Sequence, residues 1–216
     1  MDRILLWLKE MLMSLPAVLI ALSFHEFAHG FASWKLGDPT ARNLGRLTLN
    51  PIKHIDPLGF ICLLLFGFGW AKPVPVNARY YKNPRVGMAV TAAAGPLMNL
   101  LLGFFGVLLY KLFFLIPVTA GFLMNFRAIL LEMTLIFCTL NISLAIFNLI
   151  PIPPLDGSRI AFIFLPSKWY FGIMKYEQYI YIGLVILMAL GVFDSTIGWL
   201  SRKIMIGFLS FWRLIF

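Results

Sequence analysis

His25 and His29, four positions apart with Glu26 directly after the first, are the residues of this chain best suited to chemistry. On a helix, positions i and i+4 lie about 40° apart around the axis, so both imidazoles can offer a nitrogen to one metal ion. A zinc ion held in this way lowers the pKa of bound water, and a neighbouring carboxylate such as Glu26 can take up the proton released. Two histidines leave such a site one ligand short, because catalytic zinc uses three protein ligands plus water.

The setting is apolar. From Leu12 to Ala32 these three are the only ionisable residues. Over 216 residues, 61% hydrophobic content, 12% charged content and a mean hydropathy of +0.88 exclude an ordinary soluble domain and describe a polytopic membrane protein. The net charge of +9 does not point to nucleic acid, since the basic residues are scattered among apolar segments and form no soluble basic module. Cys62 and Cys138 lie in apolar runs and make neither a disulfide framework nor a CxxC pair, so both read as reduced packing residues. Arg3 before an apolar stretch imitates a signal sequence. Asp2, Lys9 and Glu10 interrupt it, however, and cleavage after that stretch would remove both histidines, so the segment reads as mature protein.

A bilayer core about 30 Å thick needs roughly 20 helical residues to cross it. Ile4 to Trp34, Val86 to Ile116, Ala128 to Ile150 and Gln178 to Leu200 meet that length. Leu58 to Trp70 covers only roughly 20 Å as a helix, so it is expected to dip in without crossing. Charge agrees with this parity: Lys35, Arg42, Arg46 and Lys53 precede the short segment, and Lys72, Arg79, Lys82 and Arg85 follow it. A re-entrant segment puts both clusters on the cytoplasmic side, together with Arg159, Lys168 and Lys175. Arg3, Lys9, Lys111 and Arg127 fall on the opposite face. Ser201 to Phe216 reads as an interfacial amphipathic helix. The expectation is an all-α polytopic membrane protein forming one domain over residues 1–216, with about four full spans. A small extended element is expected near the site, with Leu44 to Leu49 as a short strand.

The third ligand must lie at the depth of His29, roughly 10 Å inside the helix end near Trp34. Asp156 is the strongest candidate. It follows Asn148 to Leu155, where Pro151, Pro153 and Pro154 stop a membrane helix as it reaches the cytoplasmic side, and a carboxylate in such an apolar place calls for a cationic partner. An exposed Asp-Gly turn is the alternative reading of Asp156-Gly157. His54 and Asp56 are rivals in a basic, interfacial loop where a structural role is expected, with His54 as the fallback ligand. Glu132 reads as an interface residue at the far membrane face.

His25-Glu26-Phe27-Ala28-His29, joined to Asn148-x-x-Pro151-x-Pro153-x-x-Asp156-Gly157, resembles the paired signatures of the site-2 protease family, the intramembrane zinc metalloproteases. Gly95-Pro96-x-x-Asn99 resembles a further motif of that family, and close helix packing is its expected role. The resemblance runs from Phe24 to Gly157. It implies one zinc ion per chain, bound by His25, His29 and Asp156, and water activated by Glu26. It also implies that Asn148 stands near the catalytic centre, where its amide can hydrogen-bond the substrate carbonyl or oxyanion; without it, Asn148 reads as a helix-terminal cap. No stretch is long and polar enough for a PDZ or CBS domain, so a minimal form is expected.

The function expected is hydrolysis of transmembrane protein or peptide substrates in regulated intramembrane proteolysis. The setting expected is the plasma membrane of a prokaryote, with the active site toward the cytoplasm. The substrate must unwind, and strand addition onto Leu44 to Leu49 is preferred over Ala71 to Asn77, whose prolines lack donors. The alternatives are a zinc or metal transporter, which would distribute its polar residues along a pathway, and a noncatalytic membrane scaffold that binds no metal.

Overall fold

The computed structural model describes residues 2–66, 69–117 and 121–215. α1 (Asp2–Lys35) is a single helix through Pro16; the donor a proline lacks is tolerated in membrane helices, where neighbouring groups satisfy the freed backbone. After the short α2 (Thr40–Asn43) and a 3-10 turn at Pro51–Lys53 capped by Asn50, α3 (Pro57–Phe66) begins. The Asp56 carboxylate caps it by accepting the Gly59 N–H at 2.9 Å. The chain then returns to its starting level, because Ala71 forms an antiparallel bridge with Ile55 and the Lys72 N–H donates to the His54 carbonyl at 2.8 Å.

α4 (Pro84–Leu115) starts with Asn83 as cap and Pro84 in its first turn, the position where a missing N–H costs least. α5 (Phe122–Asn148) follows. The proline run ends it, and the bond between Pro153 and Pro154 is cis. Among the described residues four further α-helices follow: α6 (Asp156–Ala161), α7 (Ser167–Met174), α8 (Glu177–Ala189) and α9 (Asp194–Arg213).

α1, α4 and α5 pack on one another, and α9 lies across α4 and α5. Val107, Cys138 and Trp212 are buried together, and the Trp212 indole N–H donates to the Phe104 carbonyl at 3.0 Å. Between the helices the buried polar groups are paired: Asn99 donates to Asn141 Oδ1 at 2.9 Å and to the Ala21 carbonyl at 3.2 Å. Phe105, Leu109 and Phe114 of α4 face outward, which suits lipid rather than water. α1, α4 and α5 are each long and apolar enough to cross a bilayer. The protein is an all-α membrane protein.

Three expectations change. Leu44 to Leu49 is no strand but turn and bend, because Gly45 takes a left-handed φ of 64° directly after α2. The strand-like pairing lies instead at Ala71, which bridges Ile55; residues 72–77 follow outside any helix, and Asn77 is extended. The expected span Gln178 to Leu200 is broken: α8 ends at Ala189, and α9 leaves it at 78°. Gly191, at φ 69°, closes α8 by donating to the Met188 carbonyl while the Val192 N–H reaches Leu187, the Schellman arrangement that glycine favours. The C-terminal helix therefore begins at Asp194 rather than Ser201. One face of it is buried in protein, with Ser201 Oγ 2.9 Å from Ser143 Oγ.

Trp212 is 8% exposed and Leu214 86%. Trp212→Ala should cost about 3 kcal/mol, the usual range for a buried aromatic, and lower the melting temperature in detergent, whereas Leu214→Ala should leave it unchanged.

Candidate metal centre

α1 carries His25 and His29 one turn apart on the face that meets α4, and the proline run after α5 delivers Asp156 to the same point. His25 Nε2 and His29 Nε2 are 3.0 Å apart. Each is 3.2 Å from Asp156 Oδ2. Among the described residues these three form the one cluster of potential metal ligands.

The second nitrogen of each ring settles what faces the centre. Asn99 is fully buried, and its Nδ2 donates to the Ala21 carbonyl, which can only accept. Its Oδ1 must therefore be the atom 2.5 Å from His25 Nδ1, so that Nδ1 donates and, in the neutral ring, Nε2 carries the lone pair. The Thr91 carbonyl, 2.7 Å from His29 Nδ1, fixes the second ring in the same way. Asp156 Oδ2 is buried and has no hydrogen-bond partner among the described residues. Three lone pairs thus converge, and one added proton could bridge only one pair. Tetrahedral zinc with bonds of about 2.0 Å needs ligand atoms about 3.3 Å apart, so the donor set fits that ion in both size and chemistry.

α4 makes room for this. A Cβ on Gly95 would lie 2.5 Å from His29 Nε2 and 2.6 Å from His25 Cε1. Gly95 and Asn99 therefore do more than pack helices, the role expected of them: one admits the imidazole pair and the other orients His25. Spacing alone gave no sign of this, because the contacts run between helices more than sixty residues apart in sequence.

Glu26 is 8% exposed, and its Oε2 accepts the Val74 N–H at 2.7 Å. The segment carrying Val74 is anchored along its length. Lys72 donates to His54, the Lys72 carbonyl accepts from Arg46 Nη2 at 2.7 Å, and the Asn77 N–H donates to Asp38 Oδ2 at 2.7 Å. Asp38 is fully buried and also accepts from Ser33 at 2.8 Å and from the Thr40 N–H at 2.9 Å. Burial alone would raise its pKa, but the hydrogen bonds from Thr40, Asn77 and Ser33 outweigh it and hold the carboxyl below the usual carboxylate range. Ser33 Oγ lies 2.7 Å from Tyr81 Oη, which in turn lies 3.1 Å from Thr91 Oγ1. A buried polar chain thus joins the end of α1 to the residue whose carbonyl orients His29.

Asn148 lines the same cavity of about 770 Å³ as the three ligands and Glu26. Its amide donates to the Leu144 carbonyl at 3.0 Å, which leaves its second N–H to the cavity. His54 lies elsewhere: it is 1% exposed, its Nε2 is 2.7 Å from the Thr48 carbonyl, and it braces the loop. Asp56 caps α3, and Glu132 pairs with Lys9 at 3.2 Å. Neither joins the cluster.

The model of peptidase family M50 matches residues 116–190, the stretch that holds Asn148 and Asp156. "Putative zinc metalloprotease YwhC" of Bacillus subtilis (strain 168) is 41% identical over 192 residues, covering 87% of this chain and 85% of that protein. "Putative zinc metalloprotease Rip2" of Mycolicibacterium smegmatis is 31% identical over 144 residues, 64% of this chain and 52% of its own. The Rip2 of Mycobacterium tuberculosis (strain H37Rv) is 27% identical over 187 residues, 84% and 67% respectively. No solved structure matches the chain.

Removing the partner that fixes a ligand's tautomer usually costs about 10- to 100-fold in metal affinity. Asn99→Ala should show a loss of that order in competition with a chelator, and Gly95→Ala should bind less zinc still. Asp38, whose pKa is lowered on folding, contributes stability above the ordinary carboxylate pKa, and that contribution is lost as pH falls through the lowered value. In Asp38→Asn the melting temperature should accordingly depend less on pH in the acid range than in the wild type.

Proposed function

From the premise that this chain belongs to peptidase family M50, the site-2 proteases, we propose that it cuts peptide bonds of transmembrane substrates at the centre formed by His25, His29 and Asp156. The observation that carries this reading is the convergence of two imidazole Nε2 atoms and a buried carboxylate oxygen within 3.2 Å, with the outer nitrogen of each ring engaged by Asn99 or Thr91. His25, His29 and Asp156 would hold the zinc ion that the family uses. When bound, zinc supplies Lewis acidity, lowering the pKa of water and polarising a carbonyl.

The residues of the chain do the rest. Glu26 takes the proton of the attacking water and passes it to the leaving amine. Its Oε2 is held by Val74, which leaves Oε1 for that exchange. Asn148 donates its second amide hydrogen toward the carbonyl oxygen as negative charge develops there. The segment at residues 71–77 takes the part expected of Leu44 to Leu49. Its inward edge is used by the Lys72 and Val74 N–H groups. In an extended course Pro73 and Pro75 would stand on the opposite edge, offering carbonyls and no donors. An unwound substrate would pair there by donating its own N–H groups.

The topology that goes with this reading keeps the centre in the cytoplasmic half of the membrane. The basic residues from Lys35 to Lys53 and from Lys72 to Arg85 then share one side. α3, whose ten helical residues cover about 15 Å, and the bridge that sets Ala71 beside Ile55 go with a re-entrant segment. α8 covers only about 20 Å by itself, so the fourth span is a bent one. The chain acts as one domain.

Zinc content and cleavage of a reconstituted transmembrane substrate test the proposal. Glu26→Gln should retain zinc and lose cleavage by at least about 100-fold; cleavage at the wild-type rate would remove Glu26 from its role. Asp156→Ala should lose zinc while His54→Ala keeps it, and the opposite result would exchange the two residues.

A further inference from the structure

The cavity of about 770 Å³ holds one cation that takes no part in the proposed catalysis. Arg159 lines it together with Asp156, and it is the one arginine or lysine among the described lining residues. It stands three residues after Asp156, on α6. Side chains three apart on a helix are neighbours, with Cβ atoms about 5–6 Å from each other, so the guanidinium belongs to the surroundings of the metal centre. α6 is held closely in place. A Cβ on Gly157 would collide with the Leu149 carbonyl oxygen, and the Ser158 hydroxyl donates to the Leu155 carbonyl at 2.7 Å.

Arg159 is half-buried, and among the described residues its guanidinium makes no hydrogen bond or ion pair. Other basic side chains near the end of α1 are engaged: Arg46 Nη2 donates to the Lys72 carbonyl at 2.7 Å, and Lys35 and Arg42 lie over the Trp34 ring, 4.8 and 5.4 Å from its centroid. Glu177 lines the same cavity and makes no ion pair with Arg159 among the described residues. It opens α8, where the free N–H groups of a first helical turn suit its charge. An ionisable side chain at membrane depth is costly without a partner and marks the path of a substrate. The guanidinium presents its donors in a fixed fork that matches a carboxylate in bidentate fashion.

We infer that Arg159 receives a carboxylate side chain of the substrate, an Asp or Glu within about three residues of the bond that is cut. The inference rests on the protease reading and adds a specificity to it. The distance follows from the geometry. An unwound, extended chain advances about 3.3 Å per residue, so a group one helical turn from Asp156 is met within about three residues of the bond held there. Carboxylates are rare in membrane spans because they are expensive there. An acidic residue beside the scissile bond therefore separates a substrate from the bulk of membrane helices, which offer Arg159 nothing.

The test uses the full chain, loaded with zinc, in phosphatidylcholine proteoliposomes. Once mass spectrometry of the products has located the bond cut in a single-span substrate, Asp, Asn or Lys is placed in turn at each of the three positions on either side of it. At one or more positions KM for Asp should be roughly tenfold below that for Asn, the lower end for a charge-assisted hydrogen bond because Arg159 is half-buried. The pairing holds substrate and transition state alike, so kcat should change little. Arg159→Gln should abolish the preference for Asp over Asn, Arg159→Lys should keep part of it, and Arg159→Glu should turn it toward Lys. Equal KM for Asp and Asn at every position in the wild type overturns the inference, and so does a preference that survives Arg159→Gln. Phosphatidylglycerol, added to the vesicles, tests the other anion within reach. If Arg159 serves a lipid phosphate, that lipid changes the rate for all substrates alike in the wild type and not in Arg159→Gln, which also overturns the inference. None of these results touches the protease reading, which fails instead if the zinc-loaded wild type cleaves no substrate of the series.

Discussion

The structure turns on the meeting of three metal-ligating atoms. Two imidazole nitrogens and a carboxylate oxygen face one another within 3.0–3.2 Å, in largely buried surroundings. Such an arrangement is repulsive in a medium of low dielectric unless a cation stands among them. The backbone carbonyl of Thr91 and the pinned amide of Asn99 each hold a proton on the outer nitrogen of a ring, so that in the neutral tautomers Nε2 faces the centre with its lone pair. The same interaction that makes the three groups repel one another suits them to hold a cation such as zinc.

That requirement accounts for much of the architecture around it. α4 supplies both orienting groups and, at Gly95, the space for the imidazole pair, so the contact between α1 and α4 is part of the metal centre as well as of the core. Asn99 then passes the constraint to α5 through Asn141. On the other side, Asp38 gathers the end of α1, the start of α2 and the end of the segment 71–77 into one buried node. A carboxylate with that many donors is an economical anchor, since each hydrogen bond to a charged group contributes more than a neutral one. Glu26, the proposed base, hangs from the segment so anchored.

The sequence was most legible where local spacing carries the chemistry. His25 and His29 share a helix face by their four-residue step, and the prolines after Asn148 mark where a span stops and a carboxylate becomes exposed to the site. The three long helices follow from length and apolarity alone. What escaped were contacts between distant elements and the effect of single glycines. Asn99 looks like any polar residue in a packed helix until its partners on α1 and α5 are known. Gly45 and Gly191 each take a left-handed backbone, one ending a run that reads as a strand and the other breaking a run that reads as a single span. Apolar alternation says nothing of either, because it registers which faces are buried and not which dihedral angles the chain must take.

The segment at 71–77 shows why a discounted feature can be the useful one. Pro73 and Pro75 argue against a strand in the middle of a sheet, since they donate nothing. At an edge beside a proteolytic centre, the same lack prevents the segment from pairing symmetrically with another copy of itself while still accepting donors from an unwound chain. A substrate helix that gives up its internal hydrogen bonds must find partners for its N–H groups at once, for the bilayer offers none. On the proposed reading, an acceptor edge held beside Glu26 by Val74, with its other edge already bonded to His54 and Arg46, would meet that need.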